Sequence, residues 1–216
     1  MSFLPLAPSV HPSTWTVEPN EAGREEIVHG VFERDDHTCR FCGHRAVGWQ
    51  EVFHLDGDHG NWSIDNLVTA CTLCHGAQHL GRVTVEQEQL LIWLPDMSQA
   101  ALNAVVRLIH LVLYAHGEPA HLGEPPRSEH PAVHAVLRAY QVLAAEARTI
   151  ERRIHTASPR ELGAALLDMS PYARERIPML LGGVRLLHRG RHFRAGRDIY
   201  PQIVSGWAES IALIAA

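Results

Sequence analysis

The chain contains no lysine: all 19 of its basic residues are arginine, set against 24 acidic ones, for a formal charge of −5 and a pI near 6.3. That balance excludes a surface built throughout to neutralise phosphates, which takes an excess of cationic side chains. Long apolar runs are also missing. The most apolar window, 100–115, is interrupted by Asn103, Arg107 and His110 and falls short of the ~20 apolar residues that span a bilayer, so no membrane span is expected. The segment Met1 to Asn20 has neither a basic start nor an apolar core, and four prolines break it. This excludes a secretory leader and predicts a cytoplasmic chain. What is present fits a folded protein, since 46% hydrophobic and 20% charged residues over 216 positions rule out disorder. The length suits one domain, or a small module joined to a larger one.

Residues 1–20 read as an extended, Pro-rich lead. Helical spacing of Ile27, Val31 and Phe32 predicts a helix over 21–35, and Val47, Trp49 and Val52 predict a strand between Ala46 and Phe53. A Gly-rich turn, Asp56 to Gly60, and a short helix around Ser63 to Asn66 follow. Gln89 to Leu94 reads as a strand stopped by Pro95. Ser98 is a candidate N-cap, with Met97 before it as a staple, for a helix ended by Gly117. After a loop at Gly123 to Arg127, Pro131 opens a second long helix running toward His155. Ser158, Pro159 and Glu161 stand in capping-box order for a helix to Asp168. Ser170-Pro171 starts another that ends near Pro178 or Gly182, and Ile199 to Ile214 closes the chain as a helix. The expected organisation is 1–20 as lead, 21–82 as a zinc-sized module and 83–216 as a mainly helical body; the fold class is α+β, mainly α.

Chemistry is concentrated in four cysteines. Cys39-Arg40-Phe41-Cys42 and Cys71-Thr72-Leu73-Cys74 are two CxxC knuckles separated by 28 residues. In a reducing compartment such pairs are metal ligands before they are disulfides. Each knuckle presents two thiolates from one turn, and together they offer four sulfurs to one tetrahedral Zn2+. A site so closed leaves no position for water, so the expected cofactor is one structural zinc. Sixteen histidines are scattered along the chain, most of them expected to be ordinary surface or core residues.

The order of residues around the knuckles resembles the zinc-ribbon type of HNH endonuclease over about residues 25 to 80. Cys39-x-x-Cys42-Gly43 is followed by a strand bearing His54, then Asn66-Leu67 and Cys71-x-x-Cys74-His75, and Phe32 to Cys39 matches the helix that precedes them. The resemblance implies an HNH-like ββα module in which two consecutive strand residues bind a divalent metal and act as general base. Those positions here are Phe53 and His54. By that resemblance His54 is the base, Asn66 orients it and His75 is a metal ligand, while the phenyl ring of Phe53 has no donor for a hard cation. Asp56 and Asp58 are alternative donors. From Ala46 to Gly81 there is no arginine, against Glu51, Asp56, Asp58 and Asp65, which makes this face repel DNA.

A second resemblance spans more of the chain. Leu55-Asp56-Gly57-Asp58, Asn66 to Cys71 and Ile92-Trp93-Leu94-Pro95, with Gln99 and Leu102-Asn103 downstream, are similar to the IcmJ (DotN) family, zinc-binding subunits of the type IVB secretion coupling complex. Weaker similarity continues through Pro159 to Asp168, Arg185-Leu186-Leu187, Phe193 and Trp207-Ala208. It implies a non-catalytic adaptor that binds the C-terminal tail of the DotL-like coupling ATPase together with other coupling-complex subunits. By the same resemblance the protein is cytoplasmic, reaches the inner membrane only through the complex, and has no nucleic-acid partner. The alternative is a metal-dependent HNH endonuclease using His54, Asn66 and His75. A third reading is a DNA-binding module without cleavage.

Three further features have two readings each. Arg185, Arg189, Arg191, Arg194 and Arg197, with His188 and His192, are opposed by Asp198 alone and form either a dock for an acidic helix or nucleic acid, or a solvated loop with internal salt bridges. Trp15 and Trp62 are either interface anchors or packing residues, and packing is favoured. The apolar helix from Gln99 to His116 suits a central core helix better than a partner groove.

Overall fold

The computed structural model describes residues 3–15, 22–120 and 125–215. The end of the Pro-rich lead, the expected helix start at Glu21 and the first residues of the Gly123–Arg127 loop lie outside them. Helix α1 (Glu25–Arg34) carries Glu25 and Glu26 in its first turn and Arg34 in its last, the charge order that complements a helix dipole. Strand β1 (Gln50–His54) and strand β2 (Leu67–Cys71) form an antiparallel hairpin in register from Gln50 opposite Cys71 to His54 opposite Leu67. A 3-10 turn, Ile64–Asn66, precedes β2, and helix α2 (Thr72–His75) follows it, prolonged by a 3-10 turn over Gly76–Gln78.

Beyond them come α3 (Val85–Glu88), β3 (Gln89–Trp93), α4 (Gln99–Ala115), α5 (Pro131–Ala145), α6 (Ala147–Ile154), α7 (Pro159–Asp168), α8 (Pro171–Arg174) and α9 (Ile177–Leu180). Strands β4 (Val184–His188), β5 (Phe193–Arg194) and β6 (Arg197–Asp198) lead into α10 (Tyr200–Ala215). Strand β4 pairs antiparallel with β3, and β5 pairs with β6. Helices with small antiparallel sheets make the fold α+β, as expected.

Four local expectations need correction. The single helix over 131–155 is two, because the chain turns at Glu146, whose carbonyl accepts the Trp93 amide of β3. The helix expected from Ser170 is also two short pieces, α8 and α9. The Arg-rich stretch begins as a strand rather than a loop: Val184, Leu186 and Leu187 are buried against β3. Three of its five arginines bond within the chain, Arg185 to the Met97 carbonyl, Arg189 to the Glu86 carbonyl and Arg194 to Glu51. Finally, Ser158 does cap α7 by accepting from the Glu161 amide, but the Glu161 carboxylate takes the Thr156 hydroxyl instead of reciprocating.

The cysteine segment and the helical body share one core. A continuous buried cluster joins Cys39, Phe41, Phe53 and Cys74 to Ile92, Leu102, Val106, Ile109 and Trp207. Helix α4 lies in its centre, as its apolar pattern predicts, and Ser98 caps it by accepting from the Ala101 amide. Helix α10 comes so close to the cysteine segment that a side chain at Gly206 would collide with the Trp49 indole. The two exposed-context tryptophans pack within the chain: Arg160 lies 4.7 Å over Trp15, and Arg24 lies 5.1 Å over Trp62.

The core also holds a neutral imidazole. His110 is fully buried, its Nδ1 2.5 Å from the Tyr200 hydroxyl, and burial drops its pKa to about 3. His188, stacked on Tyr200, is pushed down as well by burial and by His110. Above the unfolded value near ~6.5 neither state binds a proton at such a group; below it only the unfolded chain does, so acid favours unfolding. Stability should therefore fall by about 1.4 kcal/mol per pH unit for His110 alone as pH drops from ~6.5 toward the folded value. Denaturant unfolding at pH 7, 6 and 5 tests this. The slope should flatten by about that amount in His110→Gln, and an unchanged slope would assign it elsewhere.

Candidate metal centre

Two turns bring the four cysteines together. In the first, the backbone doubles back from Thr38 to Arg45, with the Cys39 amide donating to the His44 carbonyl and the Gly43 amide to the Cys39 carbonyl. Gly43 makes the reversal at a φ of +73°, where any side chain is strained. The second turn is the passage from β2 into α2, which puts Cys71 on the strand end and Cys74 in the helix. Direct backbone bonding locks the turns to each other, since the Arg40 amide donates to the Thr69 carbonyl. Asp35 reinforces the join by accepting the Thr69 amide at 2.8 Å while paired with Arg34 and Arg40.

The sulfur atoms of Cys39, Cys42, Cys71 and Cys74 all lie within 4.8 Å of one another. Cys42 Sγ and Cys71 Sγ are 3.7 Å apart. Metal–sulfur bonds of ~2.3 Å in a tetrahedron put the sulfurs about 3.8 Å apart, so this donor set and spacing are compatible with zinc. Hydrogen bonds from Cys39, Cys71 and Cys74, aided by Arg107, hold the Cys42 thiol below its ordinary range.

Helix α4 supplies the surroundings of the sulfurs. Arg107 donates from one nitrogen to Cys42 Sγ at 3.3 Å and Cys71 Sγ at 3.4 Å, and Asn103 Nδ2 donates to Cys74 Sγ at 3.3 Å. Asn103 is in turn oriented by Gln99, whose amide also donates to the Leu186 carbonyl and accepts the Leu186 amide on β4. Burial opposes the charge on Arg107, yet the thiolates of Cys71 and Cys42 hold its pKa above normal. Sequence reasoning missed these residues. Their signal was present: Gln99, Asn103 and Arg107 recur every four positions, which puts a polar stripe on the buried side of an apolar helix.

The histidines of the HNH resemblance come from the end of β1, where His54 stands, and from α2, where His75 follows Cys74. Phe53 is buried, packed edge-on against Phe41 with ring centres 4.7 Å apart. His54 is 2% exposed with neither ring nitrogen hydrogen-bonded, stacked on His59 at 4.4 Å and edge-on to Trp62. Burial and the neighbouring His59 and His75 lower its pKa to about 4. The Asn66 side chain bonds to Asp56 and Asn61 within the loop, and none of its hydrogen bonds reaches the His54 ring. His75 Nδ1 is 2.8 Å from Glu51 Oε2, and Glu51 also faces His192 and Arg194. Burial alone would raise the Glu51 carboxyl; the adjacent His75 and His192 hold it well below the usual range.

Among the described residues, no helix is long and apolar enough to cross a membrane. No protein-family model matches the chain. It is 40% identical over 81 residues to the type 4 apparatus protein DotN of Legionella pneumophila subsp. pneumophila. The match covers 37% of this chain and 38% of the relative.

Proposed function

We propose that this chain is a zinc-stabilised, non-catalytic adaptor of a type IVB secretion coupling complex. In this reading it binds the C-terminal tail of a DotL-like coupling ATPase, sits with other coupling-complex subunits on the cytoplasmic side of the inner membrane, and helps recruit secreted substrates. The observation that carries the reading is the 40% identity to DotN. Two features of the hairpin support it. One zinc in the Cys39, Cys42, Cys71 and Cys74 cluster would be fully ligated by protein and so structural. The strand position that a nuclease needs for its metal is a phenyl ring committed to the core. Residues 21–82 then act as an HNH-like scaffold and 83–216 as a body that presents the partner surface.

The test is co-expression of the full chain with the C-terminal tail of the coupling ATPase from its own organism. The two should co-elute in size-exclusion chromatography and bury ~1,200–2,000 Å² between them if the complex is stable. Two separate peaks at micromolar concentrations would reject the reading. The unpartnered His54 ring is an observation on the side of an endonuclease. Plasmid nicking with Mg2+, Mn2+ or Ni2+ that disappears in His54→Ala would establish that alternative; the adaptor reading expects no nicking in either protein.

A further inference from the structure

We infer that His59, His75 and His79 form a second metal site, which takes a borderline divalent transition ion such as zinc(II) through three imidazole nitrogens. Apart from the cysteine cluster, they are the one group among the described residues whose candidate donor atoms all lie within 4.8 Å of one another. His75 and His79 stand four residues apart across α2 and the turn that prolongs it, so both rings face the same side. Their Nε2 atoms are 3.2 Å apart. With metal–nitrogen bonds of ~2.0–2.1 Å, that separation subtends an angle of about 100° at an ion between them, close to tetrahedral. The third ring comes from the loop between β1 and β2, where the His59 amide donates to Ser13 Oγ at 3.3 Å and so ties the loop to the N-terminal segment.

The surroundings prepare nitrogen donors. Glu51 Oε2 lies 2.8 Å from Nδ1 of His75, and the other ring nitrogen, Nε2, faces His79, the order of carboxylate, imidazole and ion found around metal-ligating histidines. Nε2 of His59 is buried without a hydrogen bond. Buried polar atoms are ordinarily paired, and a cation held by the three rings would give that nitrogen a partner. Three imidazoles without sulfur suit zinc, nickel, cobalt or copper better than calcium or magnesium. The HNH resemblance gives His75 alone to a metal and looks for the partner at strand position 53, where Phe53 has no donor. The ligands inferred here are the loop histidine and a second helix histidine. The inference does not rest on the secretion reading, and a failure of either leaves the other standing.

The test is a metal count on the full chain exchanged into cobalt(II), read together with its absorption spectrum. Cobalt in the thiolate cluster gives intense sulfur-to-metal bands, whereas cobalt on imidazoles gives only weak visible ones. The wild type should saturate at two ions per chain. His59→Gln and His79→Gln should each fall to one, with the thiolate bands unchanged. Saturation of the wild type at one ion, or a second ion retained by both variants, would overturn the site. Should a variant fail to fold, the wild-type count decides: two ions with added nitrogen-type bands support the site, and one removes it.

Discussion

Withdrawing the proposed zinc from Cys39, Cys42, Cys71 and Cys74 is expected to unfold the chain well beyond the knuckles. A structural zinc of this kind contributes ~10 kcal/mol or more, and whole domains are stable by only ~5–15 kcal/mol. Loss of the ion therefore consumes most of what holds the protein folded. The damage should spread, because Cys39, Cys71 and Cys74 belong to the same buried cluster as Ile92, Leu102 and Trp207. Chelation should abolish the near-ultraviolet dichroism to which Trp49 and Trp207 contribute and replace a cooperative melt with a shallow one. Cys71→Ser should do the same without a chelator, since Cys71 is both a proposed ligand and the β2 residue opposite Gln50. A metal-free sample with its full near-ultraviolet signal and melting point would contradict this account.

Arg107→Met is expected to produce the next largest loss. Four thiolates around a divalent ion carry a net charge of −2, here in a core where Arg107 itself is only 7% exposed. With the guanidinium gone, that charge has Asn103 as its remaining side-chain donor on α4. Removing one partner of a buried charged pair costs ~3–5 kcal/mol, and loss of an outer hydrogen bond to a metal ligand weakens binding by ~10–100-fold. Arg107→Lys should fall between, because an ammonium keeps the charge but lacks the planar fork that gives guanidinium its geometry. Competition with a chromophoric chelator, alongside thermal melts, would measure both effects. If Arg107→Met kept the ion as tightly as wild type, the arginine would be mere packing against Trp207, over which it lies at 5.5 Å.

Features written in local chemistry were legible from the sequence. Paired thiols at fixed spacing, the hydroxyl of Ser98 ahead of an apolar repeat and the Ser158-Pro159 start of α7 all act within a few residues of themselves. What escaped depends on residues far apart in the chain. Strand β4 is unreadable alone because Arg185 and His188 interrupt its apolar pattern, and the partner that makes it a strand, β3, lies in another part of the chain. The break at Glu146 follows from the same sheet, whose edge captures that carbonyl. Asn103 and Arg107 read as polarity that disqualified a membrane span, and only the folded hairpin shows sulfur waiting for them. The His75 and His79 spacing was visible; the arrival of His59 beside them required the hairpin loop to be folded.

The reach of α4 toward the sulfurs also has a consequence for how the protein is made. During translation all four thiols leave the ribosome before Asn103 and Arg107 do, and Leu186, which braces the Gln99 amide beside Asn103, follows much later. An early chelate on the nascent chain would therefore be loose and exchangeable, and it would tighten only when the later helix closes over it. Cells short of zinc would be expected to accumulate chains that never reach the first stage, with the knuckles open and the later helices exposed to proteases.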